Sequence, residues 1–181
     1  MYNRALEGYK ALGCGYTSTL DTINNLGVLY QDQGKLSEAE AIYNRALEGY
    51  KKALRCGYIL TLDTVNNLGV LYQDQGKLSE AKAMYNRALE GYKKALGRDH
   101  TSTLETVNNL GVLYNDQGKL REVETIFNRA LEGYEKALRR NHMLTLDTVH
   151  NLGVLYKDQG KFEEAETMFN RALEGFQSAL R

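Results

Sequence analysis

Asn25-Leu26-Gly27-Val28-Leu29-Tyr30-Gln31-Asp32-Gln33-Gly34-Lys35-Leu36 reads as the end of one helix, a glycine turn and the start of the next. The stretch returns as Asn67 to Leu78, as Asn109 to Leu120 and, with changes, as Asn151 to Phe162. The period is 42 residues, marked by Gly27, Gly69, Gly111 and Gly153 and again by Gly34, Gly76, Gly118 and Gly160. A fixed period of this size is the signature of a solenoid, in which each unit buries itself against its neighbours. The whole chain, 1–181, therefore reads as a single array. Its four units are 19–60, 61–102, 103–144 and 145–181, and residues 1–12 match the back half of a unit. An opening on an orphan second helix leads us to expect a piece of a larger protein. That segment has Lys10 where the next unit has Lys51-Lys52. One residue fewer turns a helix by about 100°, so local distortion is expected near Lys10 and Ala11.

Each unit divides into two helical patterns. In the first, Leu20, Ile23, Leu26, Gly27 and Tyr30 recur at three- and four-residue steps, one face of an α-helix. Ser18 or Thr19 is expected to cap it and Asp21 to sit in its first turn, with Gly34 supplying the left-handed stop. In the second, Leu36, Ala39, Ile42, Tyr43, Ala46, Leu47, Tyr50, Ala53 and Leu54 keep the same rhythm. Strand alternation never occurs. No proline is present in the 181 residues, so nothing breaks a helix. The predicted class is all-α, built of antiparallel helix pairs. Gly27 costs about 1 kcal/mol relative to alanine in an exposed helix, and its recurrence points to a close helix–helix approach, expected against the small Ala39 and Ala46.

The composition excludes several functions. Lysine plus arginine and aspartate plus glutamate are both 23, a formal charge of zero, which offers no general attraction to nucleic acid or an anionic membrane. No apolar run reaches the roughly 18 residues of a membrane span. Cys14 and Cys56 make no disulfide framework. A cytoplasmic protein with free thiols is the expectation. His100, His142 and His150 form no metal pair, the glycines sit singly rather than in a phosphate loop, and no catalytic constellation stands out. We expect no enzyme, no metal and no cofactor.

The set Ile23, Leu26, Gly27, Tyr30, Gly34, Ala39, Tyr43 and Ala46 recurs as Val65, Leu68, Gly69, Tyr72, Gly76, Ala81, Tyr85 and Ala88. This pattern resembles the tetratricopeptide repeat. The 42-residue length and the loop Leu96-Gly97-Arg98-Asp99-His100 are similar to the repeats of kinesin light chains. The phrase Ser-Thr-Leu-x-Thr-Val-Asn-Asn-Leu-Gly also resembles the C-terminal arrays of fungal NACHT- or NB-ARC-type signalling proteins. The resemblance implies a right-handed superhelical solenoid whose first helices line a concave groove, and it implies a protein or peptide partner of unknown identity.

Groove positions follow from helical geometry once Ile23, Leu26 and Tyr30 face the core. Asn25, Asn67, Asn109 and Asn151 come first, because related arrays use asparagines here as a ladder for the backbone of an extended peptide. An amide suits that work, offering donors and an acceptor together. The alternative is that they only join neighbouring helices. Beside them stand Asn24, Asn66, Asn108 and His150, then Gln31, Gln73, Asn115 and Lys157. Asp21, Asp63, Glu105 and Asp147, with Asp32, Asp74, Asp116 and Asp158, make a basic or neutral guest the better match. The terminal helices, left without polar caps, raise the alternative of a self-associating array, a homo-oligomer.

Overall fold

The computed structural model describes residues 17–52 and 58–179, with side chains from 21 to 50 and from 58 to 178. The orphan helix read at 1–12, the distortion read near Lys10 and Ala11, and Cys14 and Cys56 lie outside the described residues. Among the described residues all regular structure is helical: α1 (Thr17–Asp32), α2 (Leu36–Lys52), α3 (Tyr58–Asp74), α4 (Leu78–Ala95), α5 (Thr101–Asp116), α6 (Leu120–Ala137), α7 (Met143–Asp158) and α8 (Phe162–Ala179). The all-α class is as the periodicity predicts.

The chain gathers into two compact units, Met1–Ala88 and Leu89–Arg181. In the first unit α1 packs on α2, α2 on α3, and α1 touches α3. In the second, α5 packs on α6, α6 on α7 and α7 on α8, while α5 touches α7. Within each unit, consecutive first helices are therefore neighbours, with the second helices behind them. The core comes from the predicted stripes. Ala39, Tyr43 and Ala46 of α2 are fully buried, as are Val123 and Ala130 of α6, and Leu104 and Leu113 of α5.

The recurrent first-helix glycine makes room for an aromatic ring, not for the small alanines the sequence suggested. A Cβ at Gly27 would stand 2.5 Å from Cε1 of Tyr43, and one at Gly111 would stand 2.5 Å from Cε1 of Phe127. The second-helix glycine plays the reciprocal part: a Cβ at Gly133 would meet Leu104 Cδ1 at 2.6 Å. Ring and leucine thus interlock with bare backbone, which brings each helix pair close together.

The turn between paired helices follows the Schellman pattern. Gly118 has φ of +72°, its N–H bonds to the carbonyl of Asn115 at 2.8 Å, and the N–H of Lys119 reaches the carbonyl of Tyr114 at 3.0 Å. The first helices start earlier than expected, and the caps differ. Ser18 and Thr19 lie inside α1 rather than at its cap, and Asp21 falls beyond its first turn. In α5 and α7 the capping residue is a histidine: His100 Nδ1 accepts from the N–H of Ser102 at 3.2 Å and His142 Nδ1 from that of Leu144 at 3.3 Å. The threonines at the Thr19 position turn inward instead. Thr103 and Thr145 are fully buried and donate their hydroxyls to the carbonyls of Gly97 and Arg139, at 2.7 and 2.9 Å. An inward threonine satisfies a loop carbonyl that burial would otherwise orphan.

Candidate functional site

Every first helix carries the same stripe at steps of four, three and four residues: Asp21, Asn25, Val28 and Asp32 on α1, and Asp63, Asn67, Val70 and Asp74 on α3. On α5 it is Glu105, Asn109, Val112 and Asp116, and on α7 Asp147, Asn151, Val154 and Asp158. All sixteen are exposed or half-buried. Because α1 touches α3 and α5 touches α7, two stripes lie side by side in each unit.

The hydrogen bonds between stripes reveal their register. Gln31 Nε2 donates to Asp74 Oδ2 at 2.6 Å, Asn115 Nδ2 to Asp158 Oδ2 at 3.0 Å, and Asn151 Nδ2 to Asn108 Oδ1 at 3.5 Å. Each bond joins residues 43 apart, one more than the repeat. The candidate residues thus divide between two flanks of each helix. Gln31, Asn108 and Asn115 lie on the flank toward the next first helix of their own unit, and Asp74, Asn151 and Asp158 on the flank toward the one before. The seams this creates are Gln31–Asp74 in the first unit, and Asn108–Asn151 and Asn115–Asp158 in the second.

Burial follows the same division. Asn25 is exposed, and Asn67, Asn109 and Asn151 are half-buried. Asn24 and Asn66 are buried, Asn108 is half-buried, and only His150 among that row is exposed, its ring 5.4 Å from that of Phe169. Gln31, Gln73 and Asn115 are half-buried and Lys157 is exposed, 3.8 Å from Asp158. The helix–helix role weighed for the asparagines is real for the Asn108–Asn151 pair. The sequence placed all these residues along the first helices but could not show which pairs share a seam.

The tyrosines behind the stripes complete these links. The Tyr43 hydroxyl donates to Gln31 Oε1 at 3.3 Å, and that of Tyr85 to Gln73 Oε1 at 3.0 Å. Gln31 therefore accepts from its own second helix and donates to the next first helix. In the third repeat Phe127 stands where those tyrosines stand, and Asn115 Oδ1 is left buried without a partner. On the far side Tyr72 donates to Glu40 at 3.3 Å, joined there by Gln75 at 3.2 Å and Lys77 at 3.5 Å. Tyr156 and Lys161 meet Glu124 in the same way, both at 3.4 Å.

One recurring hydroxyl breaks this habit. Tyr134 of α6 is 1% exposed, packed with Leu104 and Val107 of α5 and beside Leu144 of α7. Its hydroxyl is buried and bonds to nothing in the protein. Burial pushes its phenol up, and the carboxylates of Glu105 and Asp147 push it further. Tyr50 occupies the same place in the first unit, 5% exposed, raised by burial and then by Asp21 and Asp63, while the Thr64 side chain acts the other way. Asp147 is itself raised by burial, an effect that His150 opposes. The sequence reading assigned these tyrosines to the core. Their burial was legible there, but the fate of the hydroxyl was not.

Among the described residues no group of three histidines, cysteines, aspartates or glutamates is placed to hold a metal ion. No described helix is long and apolar enough to cross a membrane.

A family model described as tetratricopeptide repeat matches residues 1–52, 60–136 and 108–178. Among solved structures, the chain is similar to BtubC (BKLC) from P. vanneervenii, with 24% identity and a TM-score of 0.78 over 90% of this chain. It spans 64% of that protein's length. It is also similar to a Podosopora anserina putative kinesin light chain with nearly identical TPR-like repeats. There the identity is 24% and the TM-score 0.67, over 98% of this chain and 83% of that one. The apo form of RapI shares 15% identity and a TM-score of 0.70, over 99% of this chain and 48% of its own. At these identities the likeness is one of fold. No curated protein matches the chain.

Proposed function

Since the chain belongs to the tetratricopeptide-repeat family, whose fold generally serves protein–protein interaction, we propose that it holds an extended segment of a protein partner across the stripes of its first helices. One observation carries this reading: in each unit two stripes of acid, asparagine, valine and acid lie side by side, with the asparagines at mid-stripe. The seam bond of Asn151 uses one of its amide donors, and a primary amide has two donors and an acceptor. The remainder suits the N–H and C=O groups of a guest backbone. Val112 and Val154 beside the asparagines supply apolar contact, and the acids at both ends favour a basic or neutral guest.

A peptide-display screen against the full chain tests this. Enriched peptides are expected to bind Asn67→Ala and Asn109→Ala about tenfold more weakly, the loss of one hydrogen bond of about 1.4 kcal/mol. Enriched peptides that bind both variants unchanged overturn the ladder.

A second reading, association between copies, is favoured by α8. Phe162 and Leu173 are 70% and 54% exposed there, whereas Leu120 and Leu131 at the same places in α6 are half-buried in a core cluster. Light scattering across a concentration series checks it. Association that Leu173→Glu abolishes supports this reading, and a monomer mass at every concentration refutes it.

A further inference from the structure

We propose that the chain associates head to tail, with α1 of one copy seated on the outer face of α8 of another. The inference rests on the association reading above and deepens it by naming the surface that meets α8. Its basis is the contact between α6 and α7 in the second unit. There Leu152 and Leu155 of α7 are buried in one apolar cluster, with Leu120 and Leu131 of α6 packed against it. One period after Leu120 and Leu131 come Phe162 and Leu173 of α8, and both are exposed. Leu26 and Leu29 of α1 stand where Leu152 and Leu155 stand in α7. Leu26 is only half-buried and Leu29 is 49% exposed, whereas Leu155 is fully buried. The uncovered faces of α8 and α1 are therefore the two halves of the contact that α6 and α7 make with each other. Joining them removes apolar surface from water.

The polar half of the contact is divided in the same way. Glu124 of α6 accepts from the Tyr156 hydroxyl and from Lys161, and the Leu120 carbonyl accepts from Gln159 Nε2 at 3.2 Å. In the first unit Glu40 of α2 receives Tyr72, Gln75 and Lys77. Glu166 is the counterpart of these glutamates on α8, and it is exposed. The donors have their counterparts in Tyr30, Gln33 and Lys35, and Lys35 turns back on its own Gln33 at 2.7 Å. The acceptor lies on α8 and the donors on α1 and its turn, so each face complements the other rather than a second copy of itself. Residues 1–12 match positions 42–54 and contain a counterpart of neither Leu36 nor Glu40, whereas α8 has both, as Phe162 and Glu166. A contact between two unlike faces does not close on a pair of copies and continues from one copy to the next.

The test measures mass by light scattering over a concentration series of the full chain at low ionic strength. The mass is expected to climb past twice that of one chain. Lys35→Glu and Glu166→Lys, both changes at exposed positions, are each expected to associate about tenfold more weakly, as for the loss of a charge-assisted bond. Mixed in equal amounts, the two variants are expected to recover the parent's association, because each then meets its opposite charge at both faces. Neither a folding defect nor a contact of α8 with α8 would weaken both variants alone and rescue them together. A mixture no better than its parts overturns the proposal. A mass that levels off at two chains and is unmoved by Lys35→Glu also overturns it, since α8 then meets α8, or the chain's own residues 1–12 cover α1. Association through α8 still stands in that case if Leu173→Glu abolishes the dimer. A monomer mass at every concentration refutes both readings.

Discussion

Asp147 is exposed at the surface, yet its carboxylate is partly desolvated. Its pKa in the folded chain lies above the ordinary 3.8, first because burial disfavours the charge, with His150 opposing. The folded state therefore holds the proton more tightly than the unfolded one, and stability falls as pH rises through the window above 3.8. Asp147→Asn is expected to melt higher than the parent at pH 7, with the difference closing as the pH falls below 3.8. Thermal unfolding followed by circular dichroism between about pH 3 and pH 7 checks this, and a lower melting point at pH 7 contradicts it. The chemistry of this position was legible in the sequence only as an acid near the start of a helix. Tyr134, whose phenol its charge affects, stands on α6, and nothing local announces that relation. The same holds for Asn115, whose amide lacks the hydroxyl that Gln31 and Gln73 receive because Phe127 lies on another helix.

The loops between repeats show how a small sequence change alters an element. Gly97 ends the second repeat at φ of +96°, and Arg139, one period later, takes φ of +118°. A side chain in that region strains its backbone by about 1–3 kcal/mol, and glycine does not. Arg139→Gly is thus expected to stabilise the second unit by about 1 kcal/mol or more, read as a higher midpoint in chemical denaturation. An unchanged or lower midpoint would show that Arg139 is held without strain. The sequence made the substitution visible, since glycine is replaced within an otherwise repeated loop. It hid the cap that follows. Ser18, Thr19 and their equivalents are the usual capping types, yet His100 and His142 accept the helix N–H groups, because the threonines are drawn inward to the loop carbonyls. Propensity ranks residue types one at a time, and a buried carbonyl nearby outweighs it.

Across the whole molecule, stability is distributed repeat by repeat, because each helix pair touches only its neighbours. Gly111→Ala places a methyl 2.5 Å from the Phe127 ring, an overpacking expected to cost about 1–3 kcal/mol. Hydrogen exchange should then show α5 to α7 losing protection while α1 to α3 keep theirs; equal loss in all helices would refute repeat-local stability. At this scale the sequence by itself determined the period, the helical class, the family resemblance and the identity of the buried stripes. Those properties are periodic along the chain, and a helix face is set by spacing alone. The tertiary structure decided the rest: that a ring fills the glycine gap, that seams join residues 43 apart, and that the Tyr134 hydroxyl is buried without a partner in the protein. Each of these depends on which flank of one helix meets which flank of the next. That relation is fixed by packing volume and hydrogen-bond geometry between segments a full repeat apart, and no local pattern encodes it.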